Sequence, residues 1–185
     1  ELLQLGVSRL ENVTTKDEAD GAKLRDKIHL EKLRLSWKYN DHSGKAREVL
    51  EGLEPHPGLK HLRIFGYNGT TSPTWLASNL SVISLRTLHF DDCGGWRILP
   101  SLGSLPFLTK LKLSSMLEVI EVLVPSLEEL VLMNMPKLVR CSSTSVGVLN
   151  SSLRALQIED CEALKEFDLE LTRSMLGLTN LILKY

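Results

Sequence analysis

Leu85-Arg86-Thr87-Leu88-His89-Phe90-Asp91-Asp92-Cys93 is the stretch that decides the fold, because its pattern L-x-x-L-x-[apolar]-x-x-C recurs in varied form along the chain. Each copy has two leucines three residues apart and an apolar residue two positions after the second leucine. Besides Leu88, the second leucines are Leu5, Leu33, Leu62, Leu111, Leu130, Leu156 and Leu181. From Leu5 to Leu181 the successive steps are 28, 29, 26, 23, 19, 26 and 25 residues, so the repeat is irregular but continuous.

Eight copies in one register predict a leucine-rich-repeat solenoid of the α/β class. Alternate side chains of a strand face opposite sides, so the leucines point into the core and the residues between them point out. We expect a horseshoe with a parallel concave sheet of about eight strands and an irregular convex side of helices and turns. The repeat occupies residues 1–185, which we interpret as one domain. Neither end shows the polar capping repeat that a solenoid needs, so we expect a fragment of a longer protein.

The convex side is predicted to be helical at first and extended later. A capping box, Thr15-x-x-Glu18, predicts a helix over about residues 16–28. Ser43 is an N-cap candidate for a second helix that reaches about Leu53. The 19-residue step leaves little room for a helix, so residues 118–125 are predicted to be extended.

The charge balance argues against two classes of partner. The chain carries 22 Lys and Arg against 23 Asp and Glu, a net charge of -1, whereas nucleic acids and anionic membrane surfaces attract proteins with a strong positive excess. No apolar run approaches the roughly 20 residues that cross a bilayer. We therefore predict neither a nucleic-acid partner nor a membrane partner.

Cysteines and glycan-acceptor patterns point to opposite compartments. Three cysteines do not make a disulfide framework, and Cys93 and Cys161 occupy the same repeat position, where a buried reduced thiol is expected. Reduced thiols are typical of the cytosol. The acceptor pattern N-x-[ST] nevertheless occurs at Asn12, Asn68, Asn79 and Asn150. An extracellular receptor ectodomain therefore stays open as an alternative.

The outward positions of the strands are the candidate partner-binding surface. If the strands are counted by repeat, strands two, three and five are basic at these positions, and strands six and seven, which contain Leu130 and Leu156, are acidic. Such a split can orient a partner. Phe65 and Met133 are candidate apolar anchors. The predicted binding residues are Lys32, Arg34, His61, Arg63, Phe65, Thr87, His89, Asp91, Lys110, Lys112, Glu129, Met133, Gln157 and Glu159.

No catalytic or metal-binding motif is found in the sequence. The phosphate-binding loop G-x-x-x-x-G-K-[ST], H-E-x-x-H, G-x-S-x-G and paired C-x-x-C are all missing. His61 and His89 are expected side by side on neighbouring strands, but no further ligand completes a metal site. We predict a protein that is not an enzyme and has no metal site.

Three segments between the strands resemble a known family. They are Val49-Leu50-Glu51-Gly52-Leu53-Glu54-Pro55-His56-Pro57-Gly58-Leu59-Lys60-His61-Leu62, Ser72-Pro73-Thr74-Trp75-Leu76 and Leu99-Pro100-Ser101-Leu102-Gly103-Ser104-Leu105-Pro106. Together with the repeats they resemble the leucine-rich-repeat region of plant intracellular immune receptors, the nucleotide-binding leucine-rich-repeat proteins of the coiled-coil class.

The resemblance implies a recognition module in the cytoplasm, or in cytoplasm and nucleus. Such a module senses a pathogen or pest effector protein, directly or through a guarded host protein, and contributes to autoinhibition. Its intramolecular partners are the receptor's nucleotide-binding and coiled-coil domains. ATP or ADP binds a separate upstream domain in this family, so no cofactor is expected here. A chiefly structural clamp on the nucleotide-binding domain is the second alternative.

Overall fold

A computed structural model describes residues 2–38, 44–77, 81–143, 153–167 and 177–184, and these form a two-sided solenoid. The strands, in chain order, are β1 (Gln4–Val7), β2 (Lys32–Ser36), β3 (His61–Phe65), β4 (Thr87–Asp91), β5 (Lys110–Ser114), β6 (Glu121–Val124), β7 (Glu129–Met133), β8 (Arg140–Ser143), β9 (Ala155–Glu159), β10 (Glu166–Phe167) and β11 (Asn180–Lys184). The concave sheet has the order β1-β2-β3-β4-β5-β7-β9-β11, and its strands are all parallel.

The register of this sheet is the one predicted from the leucines. The second leucine of every copy lies opposite that of its neighbour, from Leu5 beside Leu33 to Leu156 beside Leu181. Leu62 and Leu88 are at most 1% exposed, whereas Leu181 on the outermost strand β11 is 49% exposed. The eight-stranded concave sheet is thus confirmed.

A second parallel sheet, with the order β10-β8-β6, covers the opposite side of the later repeats. Its strand β6 confirms the predicted extended segment at residues 118–125 over Glu121–Val124, whereas Glu118 lies in a turn. The pairing of β8 with both β6 and β10 did not follow from the sequence. Cys141, to which the repeat pattern assigns no role, lies on β8 between Val122 and Phe167 and is fully buried.

The helices lie on the opposite side of the earlier repeats and are shorter than predicted. They are α1 (Lys16–Asp20), α2 (Ala46–Gly52) and α3 (Thr74–Ala77), with 3-10 turns at Leu10–Asn12, Leu24–Asp26 and Leu102–Ser104. The predicted helix over 16–28 ends at Asp20 because only Ala19 of α1 is buried and Lys23 has a left-handed backbone with φ 48°. Ile28 is 62% exposed instead of covering the core. The proposed cap Ser43 lies outside the described residues.

The capping box at the start of α1 forms with one change of partner. The Thr15 hydroxyl accepts a hydrogen bond from the Glu18 amide at 3.1 Å, as the pattern predicts. The Glu18 carboxylate accepts from the Thr14 amide at 2.9 Å, one residue earlier than expected. The helix therefore begins where the sequence predicts.

A left-handed residue follows most concave strands directly. Such residues are Gly66, Asp92, Ser115, Asn134 and Asp160, with φ between 49° and 70°. The amide of each donates a hydrogen bond to the last residue of the next strand, for example from Gly66 to the Asp91 carbonyl at 3.0 Å. The sheet's ladder thus extends one residue past the strand while the chain turns.

Aromatic rings fill the core where β2, β3 and β4 end. Trp37 lies 5.4 Å from Tyr67 between ring centroids, Tyr67 lies 5.2 Å from Trp96, and Trp96 lies 4.5 Å from Phe90. All four are at most 2% exposed. Buried aromatic pairs of this geometry add about 0.5–1.5 kcal/mol beyond the area that they bury. This cluster joins three successive repeats.

Cys93 and Cys161 are buried at equivalent positions, as predicted. Each thiol lies near the carbonyl two residues before it, at 3.5 Å for Cys93 and 3.3 Å for Cys161. Burial raises the pKa of the Cys93 thiol to about 12 and also raises that of Cys161. Both thiols are therefore protonated and poor nucleophiles at neutral pH.

Candidate concave recognition surface

Three rows of side chains cross the concave sheet at right angles to the strands, because all its strands are in one register. The first row comprises Gln4, Lys32, His61, Thr87, Lys110, Glu129, Ala155 and Asn180. The central row comprises Gly6, Arg34, Arg63, His89, Lys112, Val131, Gln157 and Ile182. The third row comprises Ser36, Phe65, Asp91, Ser114, Met133, Glu159 and Lys184. All fourteen predicted binding residues lie in these rows, and their role in binding remains a prediction.

The two histidines are not side by side, so that expectation is wrong. His61 precedes its second leucine and lies level with Thr87, whereas His89 follows Leu88 and lies level with Arg63. Within the ranges that the structure describes, no group of three His, Cys, Asp or Glu side chains could hold a metal ion.

The carboxylates in these rows are each bound by a neighbouring cation. Asp91 accepts from Arg63 at 2.9 Å, and Glu129 accepts from Lys110 at 2.8 Å. Glu159 is bound by Lys184 at 3.0 Å and by the amide of Gln157 at 3.0 Å.

Two of these ion pairs shift pKa values in the direction that favours the charged forms. The hydrogen bond from Lys184 lowers the pKa of Glu159, and the hydrogen bond to Glu129 raises the pKa of Lys110. The predicted acidic end of the surface is therefore largely neutralised by its own neighbours.

Three cations of the surface have no such partner. Lys32, Arg34 and Lys112 form no ion pair within the described part of the chain. A groove of about 540 Å³ lies over β1 to β4, and its lining includes Lys32, Arg34 and Arg63 but no carboxylate. The earlier half of the concave surface is thus electropositive although the whole chain is nearly neutral.

His89 lies partly buried in the middle of the sheet. Its Nε2 is 3.9 Å from Asp91 Oδ2. Neither His89 Nε2 nor Arg63 Nε has a hydrogen-bond partner among the described residues. Burial, reinforced by the positive charge of Arg63, lowers the pKa of His89 to about 4. Burial also lowers the pKa of His61, with Lys32 adding to the effect. Both imidazoles are neutral at pH 7.

The apolar positions differ in how far a partner could reach them. Phe65 and Met133 are half-buried in the third row, as suits a contact residue. Val131, predicted to face outward, lies between the longer side chains of Lys112 and Gln157 and is only 7% exposed. Arg9 and Lys38 lie outside the repeat pattern and were not predicted as binding residues, yet they line a second groove of about 570 Å³ with Arg34 and Phe65 at the ends of β1 to β3.

A register-locked parallel sheet of leucine-bearing strands, with varied polar side chains on its open face, defines a leucine-rich-repeat domain. This is a protein-interaction fold. Residues 1–116 match the family described as R13L1/DRL21 LRRs, and the chain belongs to this family. No helix in the described ranges is long and apolar enough to cross a membrane.

Relatives of the chain are plant proteins named for disease resistance. RGA1 and RGA2 of Solanum bulbocastanum are 37% and 34% identical over 114 and 112 residues, which are 59% and 58% of this chain. The RPP13-like protein 1 of Arabidopsis thaliana is 31% identical over 123 residues, or 61% of this chain. The matches span only 11–12% of each relative's length. The resemblance to the repeat region of plant resistance proteins is confirmed.

A solved structure supports the fold over nearly the whole chain. The leucine-rich repeat domain of the type III effector XopL aligns with a TM-score of 0.55 and 18% identity, covering 98% of this chain and 68% of that domain. At this identity the similarity concerns the fold.

Proposed function

We propose that the chain is the protein-recognition module of a plant immune receptor and that its concave sheet is the partner-binding surface. One observation carries the proposal: Arg34 and Lys112 of the central row form no ion pair among the described residues, and neither belongs to the buried core. Charges on the open face that form no ion pair within the fold are available to orient a protein partner. The family and the names of the relatives support the immune role.

The partner in this proposal is a pathogen or pest effector protein, met directly or through a host protein that the receptor guards. The receptor works in the cytoplasm, or in cytoplasm and nucleus, where the buried reduced thiols Cys93 and Cys161 are stable. Before recognition, the same domain contributes to autoinhibition through the receptor's nucleotide-binding and coiled-coil domains.

The decisive experiment removes the unpaired cations and leaves the ion pairs intact. Lys32→Gln, Arg34→Gln and Lys112→Gln are combined in the full receptor, and partner capture and the immune response are measured. Arg63 and Lys110 are left unchanged, because replacing them would strand the carboxylates of Asp91 and Glu129.

The matched control makes the same change of charge away from the concave sheet, at Lys16, Lys23 and Lys165. All three side chains are exposed on other segments of the chain. We expect the concave triple variant to lose partner capture and the response, and the control to keep both. Full capture by the concave variant would contradict the proposal.

An intramolecular clamp is the second candidate, and one observation favours it. Ile98, Ile120 and Leu123 are 78%, 58% and 50% exposed, and all three line a cleft of about 460 Å³ away from the concave sheet. Exposed apolar clusters of this kind mark contact sites. Expressing the receptor without residues 1–185 separates the candidates: a constitutive response supports the clamp, and silence with loss of recognition supports the sensor.

The extracellular alternative makes a separate prediction about glycans. Asn12 is exposed and Asn68 is half-buried, whereas Asn79 and Asn150 lie outside the described residues. A mass shift of the native protein after enzymatic deglycosylation would support an ectodomain and contradict a cytoplasmic receptor.

A further inference from the structure

The central row is distinct from the rows on either side. The first row contains Glu129, and the third contains Asp91 and Glu159. The central row crosses all eight strands without a carboxylate, and four adjacent strands contribute Arg34, Arg63, His89 and Lys112 to it. A linear, electropositive track therefore runs across the strands of β2 to β5.

The two ends of this track are Arg34 on β2 and Lys112 on β5. Arg34 and Lys112 form no ion pair in the described ranges, whereas Arg63 between them is bound to Asp91. His89 is neutral at pH 7 and adds polarity without charge. An anionic ligand can thus pair with Arg34 and Lys112 without displacing an existing ion pair.

The spacing of these ends matches an extended peptide. Arg34 and Lys112 lie in one row on strands that are three steps apart, which is about 14 Å at the usual strand separation of about 4.8 Å. Residues i and i+4 of an extended chain lie on the same side and are about 13 Å apart. Carboxylates four residues apart would therefore face Arg34 and Lys112 together.

We propose that the central row binds an extended acidic segment of a separate partner protein, laid across the strands with carboxylates at positions i and i+4 facing Arg34 and Lys112. This inference rests on the proposed function, in which the concave sheet is the partner-binding surface. It adds the chemistry and the spacing of the segment that is recognised.

The test uses synthetic peptides as probes and fluorescence anisotropy at about 0.15 M salt. One 12-residue peptide, built from Gly, Ser and Asn, carries Glu at i and i+4. The second carries the two Glu side by side, and the third has Gln in their place. We expect the first peptide to bind most tightly and the third least. Equal binding of the first two would overturn the proposal, and so would the failure of the first peptide to bind.

Two double variants test the row. Arg34→Gln with Lys112→Gln should weaken the affinity for the first peptide about tenfold. Two ion pairs with the peptide are lost, and each contributes up to a factor of about five. Lys16→Gln with Lys165→Gln removes the same charge at exposed positions away from the concave sheet and should change binding no more than about twofold. Equal weakening by both variants, at unchanged circular dichroism, would show diffuse attraction and overturn the proposal.

Other occupants of the row would be recognised by their own outcomes. Displacement of the peptide by inorganic phosphate at constant ionic strength would assign the row to small anions. A constitutive response of the full receptor carrying Arg34→Gln and Lys112→Gln would assign it to a segment of the same polypeptide. Either result overturns the proposal. If only the peptide results fail, and the triple variant still loses partner capture, the proposed function stands without this inference.

Discussion

Gly66→Ala is expected to destabilise the chain by two separable effects. Gly66 follows β3 with φ +70°, a conformation that costs an L-residue about 1–2 kcal/mol. A Cβ built there would also lie 2.6 Å from the carbonyl oxygen of Trp37. This oxygen belongs to the backbone and cannot rotate away, so the neighbouring strand end must shift, at the cost of about 1–3 kcal/mol that is typical of overpacking.

Gly44 supplies a matched control for the first effect. Its φ is +71°, and a Cβ there would meet no atom of the described residues within 4 Å. Gly44→Ala should therefore lower the free energy of unfolding by about 1–2 kcal/mol, and Gly66→Ala by about 2–5 kcal/mol. Their difference isolates the contact with Trp37.

Urea unfolding followed by circular dichroism measures both variants, with the slope m compared to test for two-state behaviour. For a chain of this size each 1 kcal/mol corresponds to about 2–4 °C in Tm. Equal losses for the two variants, or a smaller loss at Gly66, would refute the argument that close packing of successive repeats requires glycine there.

Three further predictions concern the core, the pH dependence and the turns. Trp96→Ala should lower the free energy of unfolding by about 3–5 kcal/mol. Trp96→Phe should lower it by clearly less, because it keeps an aromatic ring and removes an indole N–H that has no partner among the described residues. Similar losses for the two variants in urea titrations would contradict this prediction. His89 has a folded-state pKa of about 4, below its ordinary 6.5. As the pH drops, the unfolded chain therefore binds the proton first, and stability falls between about pH 6.5 and pH 4. His89→Gln should flatten this fall in unfolding curves taken across that range, and an unchanged dependence of stability on pH would contradict the lowered pKa. Ser115→Gly should raise stability by about 0.5–1 kcal/mol because φ is 54° there. Ser114→Gly, at the last residue of β5 and without a positive φ, should lower it by a similar amount. Thermal melts with the same sign for both would be inconsistent with a left-handed turn.

The concave sheet was predictable because its information is repeated. Each copy places its leucines at fixed positions, so eight weak patterns determine one register, and Leu5 through Leu181 align accordingly. The same register could have placed the histidines correctly, since His61 precedes its leucine and His89 follows Leu88. The two histidines share a residue type but occupy different positions of the repeat, and only the position determines which side chains are neighbours.

The opposite side of the solenoid was less predictable because its segments are short and follow no common pattern. Glu121–Val124 was recognised as extended because the 19-residue step between Leu111 and Leu130 leaves little room for a helix, whereas Arg140–Ser143 carries only Cys141 as a buried residue and was not. Ion pairs such as that of Lys110 with Glu129 join strands 19 residues apart. They depend on side-chain conformations that no local pattern contains.

The change from helices to a second sheet has a consequence for curvature. A helix is about 10 Å wide, whereas neighbouring strands are about 4.8 Å apart. Repeats backed by α1 and α2 are therefore wider outside than inside and bend the horseshoe, whereas β6, β8 and β10 match the concave spacing and let it run straighter. The track that starts at Arg34 thus begins in the bent part and leads toward the flatter one.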